Sequence, residues 1–535
     1  MSSAPPARPL AWAAVAACVA ALYLGWQVWQ ILETPYPAAY DYDEGVYAET
    51  ALVWAHGSPL YRTVFLSQPP AYIAALRLAY GAAGPTIATA RATAVLASGL
   101  WLAALFSLAA AAGRPRAGVF AVCAAAGNGA FSLAAHTVQT DAPSAALAAA
   151  AVAFTFAGRR GRLGYWAAAG VVWGLAILTK LSALIETVPL VLLATSWSVA
   201  DRPGADASPA ASAARLMETR HGHPARRRPT EALPPLGALG AGAAAAIAAF
   251  LPVLWTRAFP AQVIQYHMAA ARAYGSDPAA NLTAAAGFLW HAWPLTGAAI
   301  LGVWAGARPS RPSPPRSGAM TTVLILLAWL FAAAGALAGL RPLWPHHLIL
   351  LISPLAVLAG IGVDGAMLGI ERRGRSAAAA VAVTAAVATA TYVGIATGSR
   401  LPTSPALRAA SEAVAASVPR QEAVVTDDPL VPFLAGRLVP AAVIDTSLVR
   451  VASGNLTESS IVAALERSDV RAVVIWRGTF ERLPRVAACT RTLFPIVAAR
   501  DGFRRVLVRS RAAAAPGQAE RCAPTAAGSS PRRHG

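Results

Sequence analysis

Long apolar runs alternate with short polar segments along most of the chain. About 20 apolar residues cross the hydrocarbon core of a membrane, and loops rich in Arg and Lys stay on the cytoplasmic side. Between neighbouring basic clusters the apolar stretch is roughly twice one span. The chain is therefore predicted to leave and return between successive clusters, forming five hairpins. The clusters are Arg8; Arg114 and Arg116; Arg159, Arg160 and Arg162; Arg202 through Arg226, Arg227 and Arg228; Arg308, Arg311 and Arg316; and Arg372, Arg373 and Arg375.

The turns of these hairpins should face the outside, and a last span over 376–397 places the C-terminal part outside as well. This gives about eleven transmembrane helices. Arg257, Arg272 and Arg341 lie in the outer turns and mildly oppose the rule, but the inner clusters outnumber them. The outer turns are Glu33 to Pro85, His136 to Asp141, Lys180 to Glu186, Arg257 to Leu282, and Arg341 to His347.

The first outer segment, 33–85, is too long for a turn. Asp43 to His56 and Pro70 to Gly81 both space their apolar residues like helices that lie in the membrane interface. The inner loop 201–235 is rich in Pro, Ala and Arg without an apolar period and is predicted to be disordered.

The C-terminal part has a different pattern from the apolar domain, which spans 1–400. Over 401–511, β-branched runs alternate with helical patterns such as Thr457 to Arg467, which predicts a small α/β domain. No glycine-rich phosphate loop occurs there. Residues 512–535 are predicted to be a disordered tail, and a bridge between Cys489 and Cys522 is left open. The predicted strands are Ala423 to Thr426, Leu438 to Ile444, Ala472 to Trp476, and Val506 to Arg509.

The composition agrees with a membrane protein. Of 535 residues, 56% are hydrophobic and 13% are charged, which is more apolar side chain than a soluble core of this length can bury. The formal charge of +19 comes mostly from the basic loops, so it does not indicate a nucleic-acid-binding surface. The sequence therefore predicts an α-helical, multi-pass protein of the cell membrane, which contacts lipid.

Acidic and polar residues that could carry chemistry collect in the outer turns. The strongest local pattern is Asp41-Tyr42-Asp43-Glu44-Gly45-Val46-Tyr47, about ten residues after the first span. Solvated acids on an outer loop explain it equally well when it is taken alone. Other polar elements follow in order, namely Ser67-Gln68-Pro69-Pro70, Arg91, Thr140-Asp141-Ala142 and Leu178-Thr179-Lys180.

Lys180 is the only lysine in the chain, while every other permanent cation is Arg. A compact ammonium suits a phosphate oxygen, although a lysine that snorkels from a helix end also fits. His346 and His347, with Arg341, could bind a phosphate, or be interfacial histidines beside Trp344. Glu186 could pair with Lys180 across the turn.

In these residues the sequence resembles the GT-C glycosyltransferases, specifically glycosyltransferase family 39, with the protein O-mannosyltransferases and the aminoarabinose transferases of lipid A. The resemblance rests on the ordered set over roughly 10–365: the Asp43-Glu44 pair, Pro69-Pro70, Asp141 and Thr179-Lys180. Gln68 stands where the aminoarabinose transferases typically carry Lys, which puts that donor in doubt. The turn Arg341-Pro342-Leu343-Trp344-Pro345-His346-His347 is similar to the family's Arg-Tyr or His-Tyr element without being identical.

The resemblance implies transfer of a sugar from a polyprenyl-phosphate donor to a glycan, lipid or protein acceptor on the outer face, with inversion. No cofactor is required, although a divalent metal is possible. Displacement needs cations on the leaving phosphate and a base for the acceptor hydroxyl. The expected catalytic residues are Asp43, which acts as the base, and Glu44 and Asp141, which orient the acceptor or the base. The expected substrate-binding residues are Tyr47, Gln68, Arg91, Lys180, Arg341, His346 and His347.

A lipid or saccharide flippase or transporter is the alternative. Transporters place such acids near the midplane on broken helices, often within inverted repeats. Here the acids lie at the outer rim, and no internal repeat is found.

Overall fold

The computed structural model describes residues 9–38, 40–159, 162–196, 233–275, 277–307, 317–372, 387, 391, 402–510 and 522. These residues divide into two compact units, each built from several stretches of the chain. The first unit contains 1–31, 94–254 and 276–400; the second contains 32–93, 255–275 and 401–535.

The first unit is entirely helical in its described part. Alanine and other small residues form much of its core, so the helices approach each other closely. The α-helices are Pro9–Glu33, Ile87–Ala111, Pro115–Ala126, Gly129–Ala134, Asp141–Gly158, Leu163–Thr179, Thr187–Thr195, Leu233–Ala249, Leu251–Leu254, Pro278–His291, Trp293–Ala307, Ser317–Gly339 and Ile352–Arg372, with 3₁₀ turns at Leu181–Glu186 and Pro345–Leu351. The first residues of Ile87–Ala111 belong to the second unit.

Two glycines show how tight this packing is. A methyl group on Gly170 would overlap the carbonyl of Leu239, and one on Gly242 would overlap the carbonyl of Ala167. The helices Leu163–Thr179 and Leu233–Ala249 therefore pack backbone to backbone. Such small-residue interfaces are typical of helices that associate in membranes.

Within the described residues, five helices are long and apolar enough to cross a membrane, and a sixth span results if Pro278–His291 and its bent continuation are counted as one. Four shorter apolar helical segments also occur. These segments follow the order of the first ten predicted spans. The predicted last span, 376–397, lies largely outside the described residues, as do most of the loop 201–235 and of the tail 512–535.

The second unit combines helices with a four-stranded sheet. The predicted boundary near residue 400 coincides with the start of its last segment, but the unit also holds 32–93 and 255–275. Its helices are Tyr42–Ala55, Ala71–Ala83, Ala258–Pro260, Tyr266–Tyr274, Pro405–Ser417, Leu430–Leu434, Leu448–Ala452, Glu458–Glu466 and Pro484–Leu493, with a π turn at Ala261–Gln265 and 3₁₀ turns at Ala441–Val443 and Phe480–Arg482.

The strands are β1 (Ala423–Thr426), β2 (Val470–Ile475), β3 (Ile496–Asp501) and β4 (Arg504–Val508), in the order β1-β2-β4-β3. β1 and β2 are parallel, and β4 is antiparallel to both of its neighbours. The sequence predicted β1, β2 and β4 but not β3. The predicted strand Leu438 to Ile444 is wrong: the segment contains a 3₁₀ turn at Ala441–Val443. Pro440 lacks the N–H that a ladder requires.

The helix Tyr42–Ala55 confirms the prediction of a helix from Asp43, but it is not exposed along one face. Every residue from Glu44 to Val53 is buried. Helices Ala71–Ala83 and Leu430–Leu434 pack against it. A methyl group on Gly45 would overlap the backbone nitrogen of Leu430, so this glycine permits the close approach.

Both predicted C-terminal cysteines are joined. Cys489 and Cys522 form a disulfide with their Cα atoms 5.2 Å apart. Disulfides of this kind persist in oxidising compartments.

Candidate active site

The first unit brings four of the predicted site residues together. Asp141 begins the helix Asp141–Gly158, and Lys180 directly follows the helix Leu163–Thr179. The Lys180 Nζ atom lies 2.6 Å from Oδ2 of Asp141. His346 and His347 lie in the turn Pro345–Leu351, and their rings meet edge to face with 4.6 Å between centroids. Ligand atoms of Asp141 and of both histidines lie within 4.8 Å of one another.

Burial strengthens the electrostatics of this cluster. The side chains of Asp141 and Lys180 are only 3% and 12% exposed. A charge-assisted hydrogen bond of this length is strong where water is scarce, and it holds the ammonium in one place. One carboxylate faces one permanent cation and two imidazoles. The cluster therefore gains net positive charge as soon as either imidazole is protonated.

The histidines are oriented by their neighbours. The Trp344 backbone N–H donates to Nδ1 of His347 at 3.2 Å. A ring whose Nδ1 accepts a hydrogen bond carries its proton on Nε2 in the neutral state. His347 therefore presents an Nε2–H donor, which suits an anionic oxygen. Nε2 of Gln139 lies 3.5 Å from Nδ1 of His346. The turn that precedes Asp141 therefore also contacts this histidine.

Sequence reasoning did not assign roles to Gln139, His136 or Gln27. Nδ1 of His136 lies 2.9 Å from Oε1 of Gln27, and all three side chains are buried. They lie on the turn that leads into Asp141 and on the first helix. The signal was a run of polar residues, His136 to Asp141, in a turn flanked by apolar helices.

The prediction that Glu186 pairs with Lys180 is wrong, because Lys180 pairs with Asp141 instead. Oε1 of Glu186 accepts a hydrogen bond from Nε1 of Trp329 at 3.3 Å. Arg341 is exposed and forms no ion pair with the described residues, so the structure does not add it to the cluster.

Asp43 belongs to the second unit. Asp41 caps the helix Tyr42–Ala55, its carboxylate accepting from the Asp43 backbone N–H at 2.9 Å. This leaves Asp43 in the first turn, where the helix dipole favours the ionised carboxylate. The Tyr47 hydroxyl, one turn later, donates to Oδ2 of Asp43 at 3.4 Å. Asp43 is half-buried, so it retains access to solvent.

Glu44 and Arg91 form a closed pair. Nε and Nη2 of Arg91 donate to the two carboxylate oxygens of Glu44, each at 2.8 Å. The side chains are 0% and 2% exposed. Because each charge neutralises the other inside the protein, the geometry favours a structural role for this pair over contact with substrate.

The segment that contains Gln68 is held through its backbone. The Tyr61 hydroxyl donates to the Gln68 carbonyl at 2.8 Å, and Nε2 of His267 lies 2.9 Å from the Ser67 carbonyl. Nε2 of Gln262 donates to the Tyr61 carbonyl at 2.9 Å. These contacts fix the entry to Pro69-Pro70.

A buried polar network that the sequence did not predict begins at Tyr40 and Tyr42, which closely precede Asp43 in the sequence. The Tyr40 hydroxyl donates to Asp428, which also pairs with Arg477 at 2.7 Å. The Tyr42 hydroxyl donates to Asp445 at 3.3 Å. Burial, followed by the nearby acids Asp428 for Tyr40 and Asp445 for Tyr42, raises the pKa of both phenols, so they stay neutral donors.

Asp141, His346 and His347 also fit a divalent metal by ligand type, since one carboxylate and two imidazoles are common metal ligands. The Lys180 ammonium, however, already occupies Oδ2 of Asp141. A cation in that position competes with a metal ion for the same carboxylate.

Residues 67–205 match the sequence family described as dolichyl-phosphate-mannose-protein mannosyltransferase. Known structures extend the similarity to nearly the whole chain. ArnT from Cupriavidus metallidurans, bound to undecaprenyl phosphate, is 18% identical over 95% of this chain and 99% of that one, with a TM-score of 0.61. ArnT in the apo state is 16% identical over 95% and 98%, with a TM-score of 0.60.

The archaeal oligosaccharyltransferase AglB from Archaeoglobus fulgidus, in complex with an inhibitory peptide and a dolichol-phosphate, is 14% identical over 87% of this chain and 69% of that one, with a TM-score of 0.51. No curated protein matches the chain in sequence. The chain thus shares the fold of ArnT and AglB, with several apolar helices and a small C-terminal sheet, and is a multi-pass membrane protein.

Proposed function

We propose that this protein is a membrane glycosyltransferase that takes a sugar from a polyprenyl-phosphate carrier and transfers it to an acceptor on the outer face of the membrane. The observation that carries the proposal is the partly buried cluster of Asp141, Lys180, His346 and His347, in which Asp141 is buried and the other three residues are half-buried. Its cations suit an anionic phosphate. The similarity to ArnT and AglB, whose structures hold undecaprenyl phosphate and dolichol-phosphate, supports the same donor class.

In the proposed reaction the acceptor hydroxyl oxygen attacks the anomeric carbon of the sugar. A new carbon–oxygen bond forms as the bond from that carbon to the carrier phosphate breaks, and the bonding electrons leave with the phosphate. Attack opposite to the leaving group inverts the anomeric configuration. Asp43 takes the proton of the acceptor hydroxyl, which is general-base catalysis.

Lys180 and the two histidines stabilise the charge that develops on the departing phosphate. Preorganised donors and cations of this kind are effective in a water-poor site because they need no rearrangement during the reaction. Asp141 holds Lys180 in position through the 2.6 Å contact. A divalent ion held by Asp141 and the histidines would add positive charge at the phosphate, but the proposal does not require one.

The test is release of free polyprenyl phosphate from a radiolabelled polyprenyl-phosphate sugar by the purified full-length protein. Release is expected only when acceptor is present. Mannosyl and arabinosyl donors should be compared, because their relative cleavage rates identify the donor sugar. A chelator is expected to leave the rate unchanged, and loss of activity restored by a divalent ion would instead assign a metal to the cluster.

A flippase or transporter gives a different result in the same assay. It would move the labelled lipid across proteoliposomes without cleaving it. Uncleaved donor after prolonged incubation with several acceptors, together with transbilayer movement, would reject the transferase. Arg467→Gln is a suitable control, because Arg467 is exposed and pairs with Asp469 in the C-terminal domain.

A further inference from the structure

The side-chain amide of Gln68 is an unused polar group in a tightly held loop. Gln68 is only 9% exposed. Its backbone carbonyl accepts from the Tyr61 hydroxyl at 2.8 Å, but its side-chain amide forms no hydrogen bond with the described residues. A largely buried amide without partners costs free energy. The group therefore points to a partner that is not part of the described chain.

The backbone that leads to Gln68 has a conformation that needs support. Tyr61 has a φ of 63°, in the left-handed region that a bulky side chain rarely adopts. Its ring is buried and packs edge to face on Phe259 with 5.1 Å between centroids. The Tyr61 N–H donates to the Val64 carbonyl at 2.8 Å and closes the loop. Backbone of this kind persists only where several contacts fix it.

One side chain, that of Gln262, bonds both sides of this loop. Its Oε1 atom accepts from the Leu66 backbone N–H at 3.0 Å, and its Nε2 atom donates to the Tyr61 carbonyl at 2.9 Å. Both functions of the amide are thus used on the backbone of the loop. Because Leu66 is two positions before Gln68, Gln262 fixes the backbone from which the Gln68 side chain projects.

The segment that carries Gln262 is built around an irregular turn. Gln262 lies in the π turn Ala261–Gln265, and π turns are rare but frequent at functional sites. In the helix that follows, Nε2 of His267 lies 2.9 Å from the Ser67 carbonyl. The segment therefore holds the loop at several points up to the residue before Gln68.

The same loop leads to the surroundings of Asp43. Gln68 is three positions before the helix Ala71–Ala83, in which Tyr72 packs edge to face on Tyr47 with 6.4 Å between centroids. The Tyr47 hydroxyl donates to Oδ2 of Asp43 at 3.4 Å. Direct contacts therefore join the loop to the predicted base.

We propose that the Gln68 amide binds a hydroxyl group of the transferred sugar, and that Gln262 is the positioning residue that places this amide. The inference rests on the proposed function, in which a sugar-bearing lipid is the substrate. An amide both donates and accepts hydrogen bonds, and so does a sugar hydroxyl. An ionised phosphate oxygen only accepts, so it would leave Oε1 of Gln68 unpaired. The Gln68 amide is therefore better suited to the sugar than to the phosphate of the carrier.

The experiment measures the dissociation constants of two lipids for the full-length protein. One is the polyprenyl-phosphate sugar, in mannosyl and arabinosyl forms, and the other is polyprenyl phosphate without a sugar. Gln68→Ala should bind the preferred sugar-bearing lipid roughly 3- to 10-fold more weakly, the effect of losing one neutral hydrogen bond, and the sugar-free lipid as tightly as the wild type. Gln262→Ala should show the same pattern. Gln265→Ala is the matched control, because Gln265 is an exposed glutamine of the same turn.

Two further variants separate positioning from general structural support. Gln262→Glu keeps the shape of the side chain, but an ionised carboxylate cannot donate to the Tyr61 carbonyl, so the selective loss should remain. Adding Gln262→Ala to Gln68→Ala should weaken binding no further, because Gln262 acts through Gln68. Thermal unfolding establishes which variants are folded; if Gln262→Ala does not fold, the nearly isosteric Gln262→Glu decides.

Three results would overturn the inference: unchanged affinity of Gln68→Ala, equal weakening of both lipids, or fully multiplicative losses in the double variant. The proposed function fails separately. In that case the wild type binds the sugar-bearing lipid but never releases polyprenyl phosphate from it, whatever the binding constants of the variants.

Discussion

The Lys180 ammonium lies 2.6 Å from a carboxylate oxygen of Asp141, although the two residues are 39 positions apart in the sequence. The contact joins the start of one apolar helix to the end of the next. It places the only lysine of the chain against a buried acid, where each charge depends on the other. Breaking one partner of a buried pair typically costs about 3 to 5 kcal/mol, because the other is left uncompensated.

Lys180→Met and Asp141→Asn are each expected to lower the apparent unfolding temperature, and the double variant should be less destabilised than the sum of the two. Turnover should fall about 100-fold or more in Lys180→Met, since a cation on the leaving phosphate is lost. Lys180→Arg should lose about 10-fold, because a planar guanidinium does not replace a compact ammonium at this site. Unfolding scans and donor-cleavage rates measure both effects. Additive destabilisation would show that the contact contributes no coupling.

Replacing Asp43 by Asn retains the shape of the side chain but removes proton acceptance. Turnover is expected to fall about 100-fold or more while donor binding changes little, since general-base catalysis typically contributes 10²–10⁴-fold. Asp41→Asn is a matched control on the same helix, because Asn caps helices as well as Asp does. Single-turnover rates and donor binding are the measurements. A loss of donor affinity alone would transfer the role of base to Asp141.

The predicted topology is testable with single cysteines and an impermeant maleimide in intact cells. Cysteines in place of the exposed His56 and Arg341 should react from outside, and one in place of Arg227 should react only after lysis. Cys18 and Cys123 are first replaced by Ala to remove the background thiols. Reaction of the Arg341 site only after lysis would contradict the assigned orientation.

Glu49 predicts a pH dependence of stability. Its carboxyl is fully buried, one oxygen accepting from the Val439 N–H at 2.7 Å, and burial raises its pKa to about 8. The folded state thus binds a proton that the unfolded state releases above a pKa of about 4.5, so stability should decline as the pH rises from about 4.5 to 8. Glu49→Gln should remove this decline and raise the unfolding temperature by about 2 to 8 °C at pH 8. Parallel temperature–pH curves for the two proteins would exclude a neutral Glu49.

The disulfide between Cys489 and Cys522 should change both the labelling of these cysteines, seen as a shift in gel mobility, and the thermal stability of the protein. A thiol-reactive mass tag should label Cys489 and Cys522 only after reduction. With the two cysteines 33 positions apart in the sequence, the bridge should contribute about 3 to 4 kcal/mol in the chain-entropy model. Cys522→Ser should therefore lower the unfolding temperature of the C-terminal part. Equal labelling with and without reductant would contradict the bridge.

Local patterns predicted much of the fold because apolar run length and β-branched alternation depend on a few neighbouring residues. The helix from Asp43, the strand β1 and the end of the helix before Lys180 were all predicted in this way. Strand β3 escaped because it is an exposed edge strand whose residues do not alternate in burial. The prediction of a strand over Leu438 to Ile444 was wrong because the composition of the segment favours a strand, whereas Pro440 cannot donate the hydrogen bond that a strand requires.

Partners distant in sequence could not be predicted from local pattern. Glu186 is six residues from Lys180, yet the acid that pairs with Lys180 comes from a different helix. Arg91 is predicted from the sequence to bind substrate. Its pairing with Glu44 depends on packing between residues that are 47 positions apart in the sequence. A resemblance to a family fixes the order of such residues but not which of them neutralise each other.

The contact between Gly45 and Leu430 has a consequence for engineering and for descent. The helix Tyr42–Ala55 is buried from Glu44 to Val53, and part of that cover is the helix Leu430–Leu434. A chain ending at residue 400 would therefore expose the apolar and polar groups around Asp43 to water. Replacing residues 401–511 by those of a distant relative would meet the same obstacle. Any replacement segment would have to place its backbone where that of Leu430 lies. A substitution at Gly45 would therefore require a compensating change in the segment around Leu430.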